Sequence, residues 1–223
     1  MSLARMIPTA AFIGLLALVI APVAVSLRMM RTHSQNSSST QKSAVAAKAT
    51  TLAGFDGERA YKYLVEQCDI GTRISGSDGN RTLRRRMAEH FESQGAKVTL
   101  QPFEARHPLD GQAVEMENVV AAWHPERNQR VVIGAHFDTR PHPDKEVTAK
   151  KKAEPFLGAN DGASGIALLM ELAHQLKDLK TSVAVDLVAF DGEELVYDDR
   201  GEYFLGSKHF AEQYRKAGGQ ARY

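Results

Sequence analysis

The sequence has one cysteine, Cys68, and one tryptophan among its 223 residues. A single thiol excludes an internal disulfide framework and any multi-cysteine zinc site. Excess charge is lacking too. Lys plus Arg total 28 against 27 Asp plus Glu, a formal net charge of +1, so there is no bulk positive field for a nucleic acid. Internal repeats are absent. Acids are missing altogether from the first 55 residues, whose charges are Arg5, Arg28, Arg31, Lys42 and Lys48; the remainder carries 23 basic and 27 acidic residues and is mildly acidic. What remains, 43% apolar and 25% charged, is the balance of a globular protein long enough to bury a core.

The one long apolar run lies at the N-terminus. Residues 10–27, AAFIGLLALVIAPVAVSL, carry no charge over 18 positions, with Arg5 before them and Arg28 and Arg31 after. At 1.5 Å per residue such a run just reaches across a hydrocarbon core. Residues 1–33 therefore read as a signal anchor or, with Ala24-Val25-Ser26 as the cleavage region, a signal peptide. Either places the body outside the cytoplasm, tethered to the membrane or secreted to a periplasm or cell surface, although the arginines on the far flank favour the opposite orientation. Residues 34–54, rich in Ser, Thr, Ala and Lys, lack apolar periodicity and read as a flexible linker.

From residue 55 to 223 the pattern alternates. Ala60, Tyr61, Leu64, Val65 and Cys68 form an apolar stripe on a helix with Asp56 as N-cap. After the turn-rich GTRISGSDG, a second helix from about Asn80 carries Leu83, Met87 and Phe91 and stops at Gly95. Strands are expected over Val98–Phe103, Glu117–Trp123, Arg130–Ala135 and Ser182–Phe190, and helices over Gly165–Leu176 and about Ser207–Lys216. The expectation is an α/β fold: a mixed, mostly parallel sheet with helices on both faces.

Three clusters of oxygen and nitrogen donors fall at strand ends. His136 and Asp138, in GAHFD, follow the apolar strand RVVIG. Asp161 lies in GANDGASG, which opens a helix; the same loop also reads as a glycine-rich N-cap, and its spacing fits neither phosphate-binding glycine motif. Glu193 and Glu194, in DGEEL, follow the strand SVAVDLVAF. Singly, these are a turn pair, a cap and a solvated acidic turn. Together they occupy the ligand-binding edge of an open α/β sheet, and histidine plus carboxylates without thiolate suits zinc. The lysine run 150–152 has Asp144, Glu146 and Glu154 nearby and reads as a solvated turn, so no nucleic-acid partner is expected.

The ordered strings HFD, GANDGASG, FDGEEL and YFLGSKHFA resemble the zinc-dependent aminopeptidase family of bacterial leucyl aminopeptidases and glutaminyl-peptide cyclotransferases. GTRISGSDGN and Asn118-Val119-Val120-Ala121 fit the same likeness, which covers about residues 55–223. By that resemblance the fold is zinc-exopeptidase-like, Asp161 and Glu194 are zinc ligands, Glu193 is the general acid/base, and His136 binds a second zinc in the peptidases, with Asp138 behind it. The eleven residues LVYDDRGEYFL before Gly206-Ser207, and the string HFDTRP, are more similar to the cyclotransferases. The implied reaction is conversion of N-terminal Gln of a peptide or protein to pyroglutamate with one zinc. The alternatives are a two-zinc aminopeptidase and an inactive membrane-tethered binding module. The resemblance also implies a further Asp and a final His ligand past Tyr223, so the catalytic domain reads as its N-terminal part and this chain alone as inactive. His209 reads as a helix-surface residue, and the oligomeric state is left open.

Overall fold

The computed structural model describes residues 54–218. The expected signal or anchor segment and nearly all of the linker lie outside the described residues. Among the described residues no helix is long and apolar enough to cross a membrane.

Helix α1, Gly57–Asp69, begins where Asp56 Oδ1 accepts from the backbone N–H groups of Glu58 and Arg59, both at 3.0 Å. Its buried side differs from the expected stripe. Tyr61 is 66% and Val65 38% exposed, whereas Gln67 is buried. The reason is a polar anchor: Gln67 donates to the carbonyls of Tyr63 and Ala163, and its amide costs less inside with those bonds than unpaired. Helix α2, Asp78–Ser93, starts two residues earlier than expected because Ser77 is its cap, and it buries Leu83, Met87 and Phe91 as the spacing predicts.

Strands β1 (Lys97–Arg106), β2 (Ala113–Trp123), β3 (Arg130–His136) and β4 (Ala184–Phe190) form one sheet in the order β1-β2-β4-β3. The sheet is mixed, as expected, but only β3–β4 is parallel; β1–β2 and β2–β4 are antiparallel. The parallel share is smaller than predicted because β1 and β2 are a hairpin closed over residues 107–112, where His107 N–H bonds to Gln112 O at 2.8 Å. Edge strand β1 tolerates Pro102, which would break a ladder in the centre of the sheet.

Helix α4, Ser164–Leu176, and helix α2 cover one face, where Val119, Ala121 and Trp123 of β2 and Val185, Leu187 and Ala189 of β4 join Phe91, Ile166, Leu169 and Ala173 in the core. Helix α5, Leu205–Lys216, covers the other face through Phe210 against Phe190 (ring centroids 5.7 Å) and Gly206 O accepting from Asn118 Nδ2 at 2.9 Å. His209 lies on the helix flank, stacked on Phe103 at 4.8 Å. Three short elements lacked a sequence signal: helix α3 (Ala149–Lys152), and strands β5 (Val196–Tyr197) and β6 (Arg200–Gly201), a two-residue hairpin inside the stretch before Gly206.

β3 and β4 differ although both are apolar. β4 is buried through Phe190's predecessor, while Val131, Val132 and Ile133 of β3 are 46%, 39% and 37% exposed. Among the described strands β4 has neighbours on both sides and β3 has one.

Candidate active site

The parallel β3–β4 pair sets the site. Their register places His136 opposite Phe190, and Phe137 N–H continues the ladder to Phe190 O at 3.0 Å. The residues that follow each strand, Asp138 and Asp191–Glu194, therefore leave the sheet side by side.

Asp138 is fully buried and spends both oxygens on the neighbouring segment. Oδ1 accepts from Glu193 N–H at 3.0 Å, and Oδ2 from Glu194 N–H at 2.8 Å and Ser75 Oγ at 3.3 Å. With three donors on it, this carboxylate fixes the backbone carrying the glutamate pair. Asp138 also stands 3.6 Å from His136 Nδ1, a buried nitrogen that makes no hydrogen bond among the described residues. The other ring nitrogen, Nε2, is 3.1 Å from Asp161 Oδ1. Burial works to lower the His136 pKa, but the carboxylates of Asp138, Glu193 and Asp161 outweigh it and lift it to about 9.

Asp161 owes its position to a broken helix start. Residues Ala159–Ala163 form a wide turn ahead of α4, with Asp161 extended and Gly162 at φ +93°. A Cβ on Gly162 would meet Asp138 O at 3.0 Å and the His136 ring at 3.3 Å, so glycine is required both by conformation and by space. The Asp161 side chain is 43% exposed, free to face a ligand.

Glu193 and Glu194 point differently, as adjacent residues must. Burial, reinforced by the Glu194 carboxylate and opposed by His136, raises the Glu193 carboxyl to about 7. Glu194 is held by Arg140: the guanidinium bonds through Nε to Oε2 and through Nη2 to Oε1 at 3.0 Å. The same Arg140 reaches Asp144 at 2.8 Å and Tyr203 Oη at 3.3 Å, and hydrogen bonds to these carboxylates raise its pKa further. Thus His136 and Asp161 come together, Asp138 stands behind them, and Glu193 is close enough to perturb the imidazole. Glu194 is turned to an arginine. Among the described residues no three His, Cys, Asp or Glu side chains converge to hold a metal ion. The donor chemistry of the His136–Asp161 pair fits zinc. Each Glu194 oxygen accepts one bond from Arg140, which leaves it a lone pair for a cation.

Four residues that serve the site carried no role in the sequence reading. Asp191, buried, accepts from Ser75 Oγ, Asn80 Nδ2 and Gly192 N–H at 2.9 Å each and from Glu117 N–H at 3.2 Å. Ser75 and Asn80 come from the loop GTRISGSDGN and its helix, so that string is the inner wall of the site. Arg140 lay within HFDTRP; its charge two residues past Asp138 was a signal, but its partner 54 residues away was not.

A mixed α/β sheet with His and carboxylates at the carboxyl ends of its parallel pair defines the zinc-exopeptidase-like class of fold. Comparison agrees: the sequence profile of Peptidase family M28 matches residues 118–222. A second profile, a domain of unknown function (DUF6517), matches residues 32–156 and stops short of Asp161 and the glutamate pair. Glutaminyl cyclase from Fimbriiglobus ruber is 42% identical, with TM-score 0.70 over 74% of this chain and 57% of that one. A Zn-dependent exopeptidase from Parabacteroides distasonis is 29% identical, with TM-score 0.64 over 70% of this chain and 56% of that one. Among curated proteins, glutaminyl-peptide cyclotransferase of Drosophila melanogaster is 28% identical over 153 residues, 66% of this chain and 40% of the relative. The resemblance seen in the sequence therefore holds: the chain is similar to the M28 peptidases over residues 118–222, with glutaminyl cyclases among its similar structures. It spans about two fifths of that curated relative's length and less than two thirds of those solved structures.

Proposed function

We propose that this chain carries active-site residues of a zinc-dependent glutaminyl-peptide cyclotransferase. The observation that carries the reading is Glu193: a half-buried carboxyl with its pKa raised to about 7, set beside the His136–Asp161 pair. A carboxyl so tuned both accepts and returns a proton near neutral pH. His136, Asp161 and Glu194 are the proposed zinc donors, with Asp138 positioning both the imidazole and the glutamate backbone. Zinc, when bound, supplies Lewis-acid polarisation of the substrate carbonyl.

On an N-terminal glutamine the α-amine attacks the carbon of the side-chain amide, forming the ring C–N bond, and ammonia leaves. Glu193 takes the proton that the amine loses and returns it to the departing nitrogen. Nucleophile and electrophile belong to one residue, so the protein need only orient them. The glutaminyl cyclases among the similar structures support this reading. The length of the stretch LVYDDRGEYFL between the glutamate pair and Gly206, which contains the β5–β6 hairpin, is more similar to the cyclotransferases than to the aminopeptidases.

The aminopeptidase reading rests on the M28 profile match and on the Glu193–Glu194 pair, where Glu193 would instead deprotonate a water. One experiment separates the two: the full-length enzyme, loaded with zinc, is given a Gln-initiated peptide and, in parallel, leucyl anilide. Ammonia and pyroglutamate without anilide cleavage are expected. Anilide cleavage without ammonia would overturn the cyclotransferase reading in favour of the peptidase.

A further inference from the structure

Arg73 is the largest of the fully buried side chains, and among the described residues it has no carboxylate partner. Its guanidinium is surrounded by main-chain carbonyls instead. Nη1 donates to Gly71 O at 2.8 Å and Gln67 O at 3.3 Å, Nη2 to Leu157 O at 3.0 Å and Gly158 O at 3.5 Å, and Nε to Phe137 O at 3.4 Å. Its own backbone is fixed as well: Arg73 N–H donates to Thr139 Oγ1 at 2.8 Å, and Arg73 O accepts from Thr139 N–H at 3.2 Å.

These carbonyls are not scattered. Phe137 lies between His136 and Asp138. Leu157 and Gly158 lead directly into the turn that presents Asp161. Gln67 in turn donates to Ala163 O, at the far end of that turn, at 3.1 Å. One cation therefore grips from behind both segments that carry the proposed donor pair. Burying a guanidinium is costly, and burial lowers the Arg73 pKa. A hydrophobic side chain would fill the volume without that cost, but would tie no carbonyl. Lysine would keep the charge, yet its three donors radiate from one nitrogen and cannot reach carbonyls on both sides of a planar fork. Gly158 belongs to the same device: at φ +55°, a Cβ there would lie 3.0 Å from Thr139 Cγ2 and 3.4 Å from Arg73 Nη2.

We infer that Arg73 is a positioning residue that fixes the spacing of His136 and Asp161 by bridging the main chain of their two segments. The inference rests on the proposed role of those two residues as metal donors. Its test compares Arg73→Lys and Arg73→Met with Leu83→Ala, a core truncation that destabilises the domain without touching either segment. Two readouts are taken: Co²⁺ affinity with its visible absorption spectrum, and amide exchange of residues 157–163.

Both Arg73 variants are expected to bind Co²⁺ about 10- to 100-fold more weakly, with an altered spectrum. They should also exchange faster at 157–163, while Leu83→Ala changes neither. Unaltered affinity and exchange in Arg73→Lys, or equal changes in Leu83→Ala, would overturn the inference. If the unsubstituted protein binds no Co²⁺, the metal reading fails, and the exchange of 157–163 alone decides the role of Arg73. Should neither Arg73 variant fold, Thr139→Val removes one anchor of Arg73 itself. Faster exchange at 157–163 is then expected, and unchanged exchange would sink the idea.

Discussion

Asp138 and Asp191 on one side, and Asp161 and Glu193 on the other, are carboxylates of one site in opposite circumstances. The first two are sealed: Asp138 is saturated by two backbone N–H groups and Ser75, and Asp191 accepts four hydrogen bonds. The second two have an open side. Asp161 is 43% exposed and faces His136, and Glu193 has its pKa raised to about 7 by burial. The difference separates carboxylates that build the site from those left free to act on a ligand. The inner pair shapes the loops through its hydrogen bonds, and a ligand reaches it only by disturbing them.

That contrast is open to breaking by substitution. Asp138→Asn should have the largest effect on stability. An amide cannot accept from both Glu193 and Glu194 N–H, and the loss is expected to be about 3–5 kcal/mol in denaturant unfolding. Asp191→Asn should cost less, about 1–3 kcal/mol, because some acceptor capacity survives.

It should also alter the pH dependence. Burial raises the Asp191 pKa from its ordinary value to about 7, so the folded state holds that proton more tightly than the unfolded chain does. Its contribution is present in full below about pH 4 and is lost as pH rises towards 7. A melting-temperature series over that window should show a slope that Asp191→Asn removes. Asp161→Asn should move stability least, within about 0.5 kcal/mol, while weakening zinc binding in calorimetry. A large stability loss there would erase the distinction between the two pairs.

Much of the fold could be read in the residues themselves. The 3.6-residue spacing of Leu83, Met87 and Phe91, and the apolar runs of β3 and β4, are local signals, and they appear as the expected elements. The candidate site positions stand out because strand-end carboxylates and a glycine-rich turn are conspicuous in sequence. What was not legible depends on distant partners. Tyr61 and Val65 fit a helical stripe, yet the helix is rotated by the bond from Gln67 to Ala163, 96 residues away. In sequence Asp138 reads as the companion of His136, whereas its stronger bonds go to Glu193 and Glu194, in the segment that follows β4. The binding of Glu194 to Arg140, which sets how that carboxylate can be used, arises only when the loops of β3 and β4 meet.

The central claim is that Glu193 moves the proton while its sealed neighbours hold it in place. Ammonia release from a Gln-initiated peptide by the zinc-loaded full-length enzyme, with and without Glu193→Gln, tests it most directly. Glu193→Gln is expected to lower turnover by about 10²- to 10⁴-fold, with the fold and zinc content unchanged. Turnover close to that of the unsubstituted protein would contradict the account.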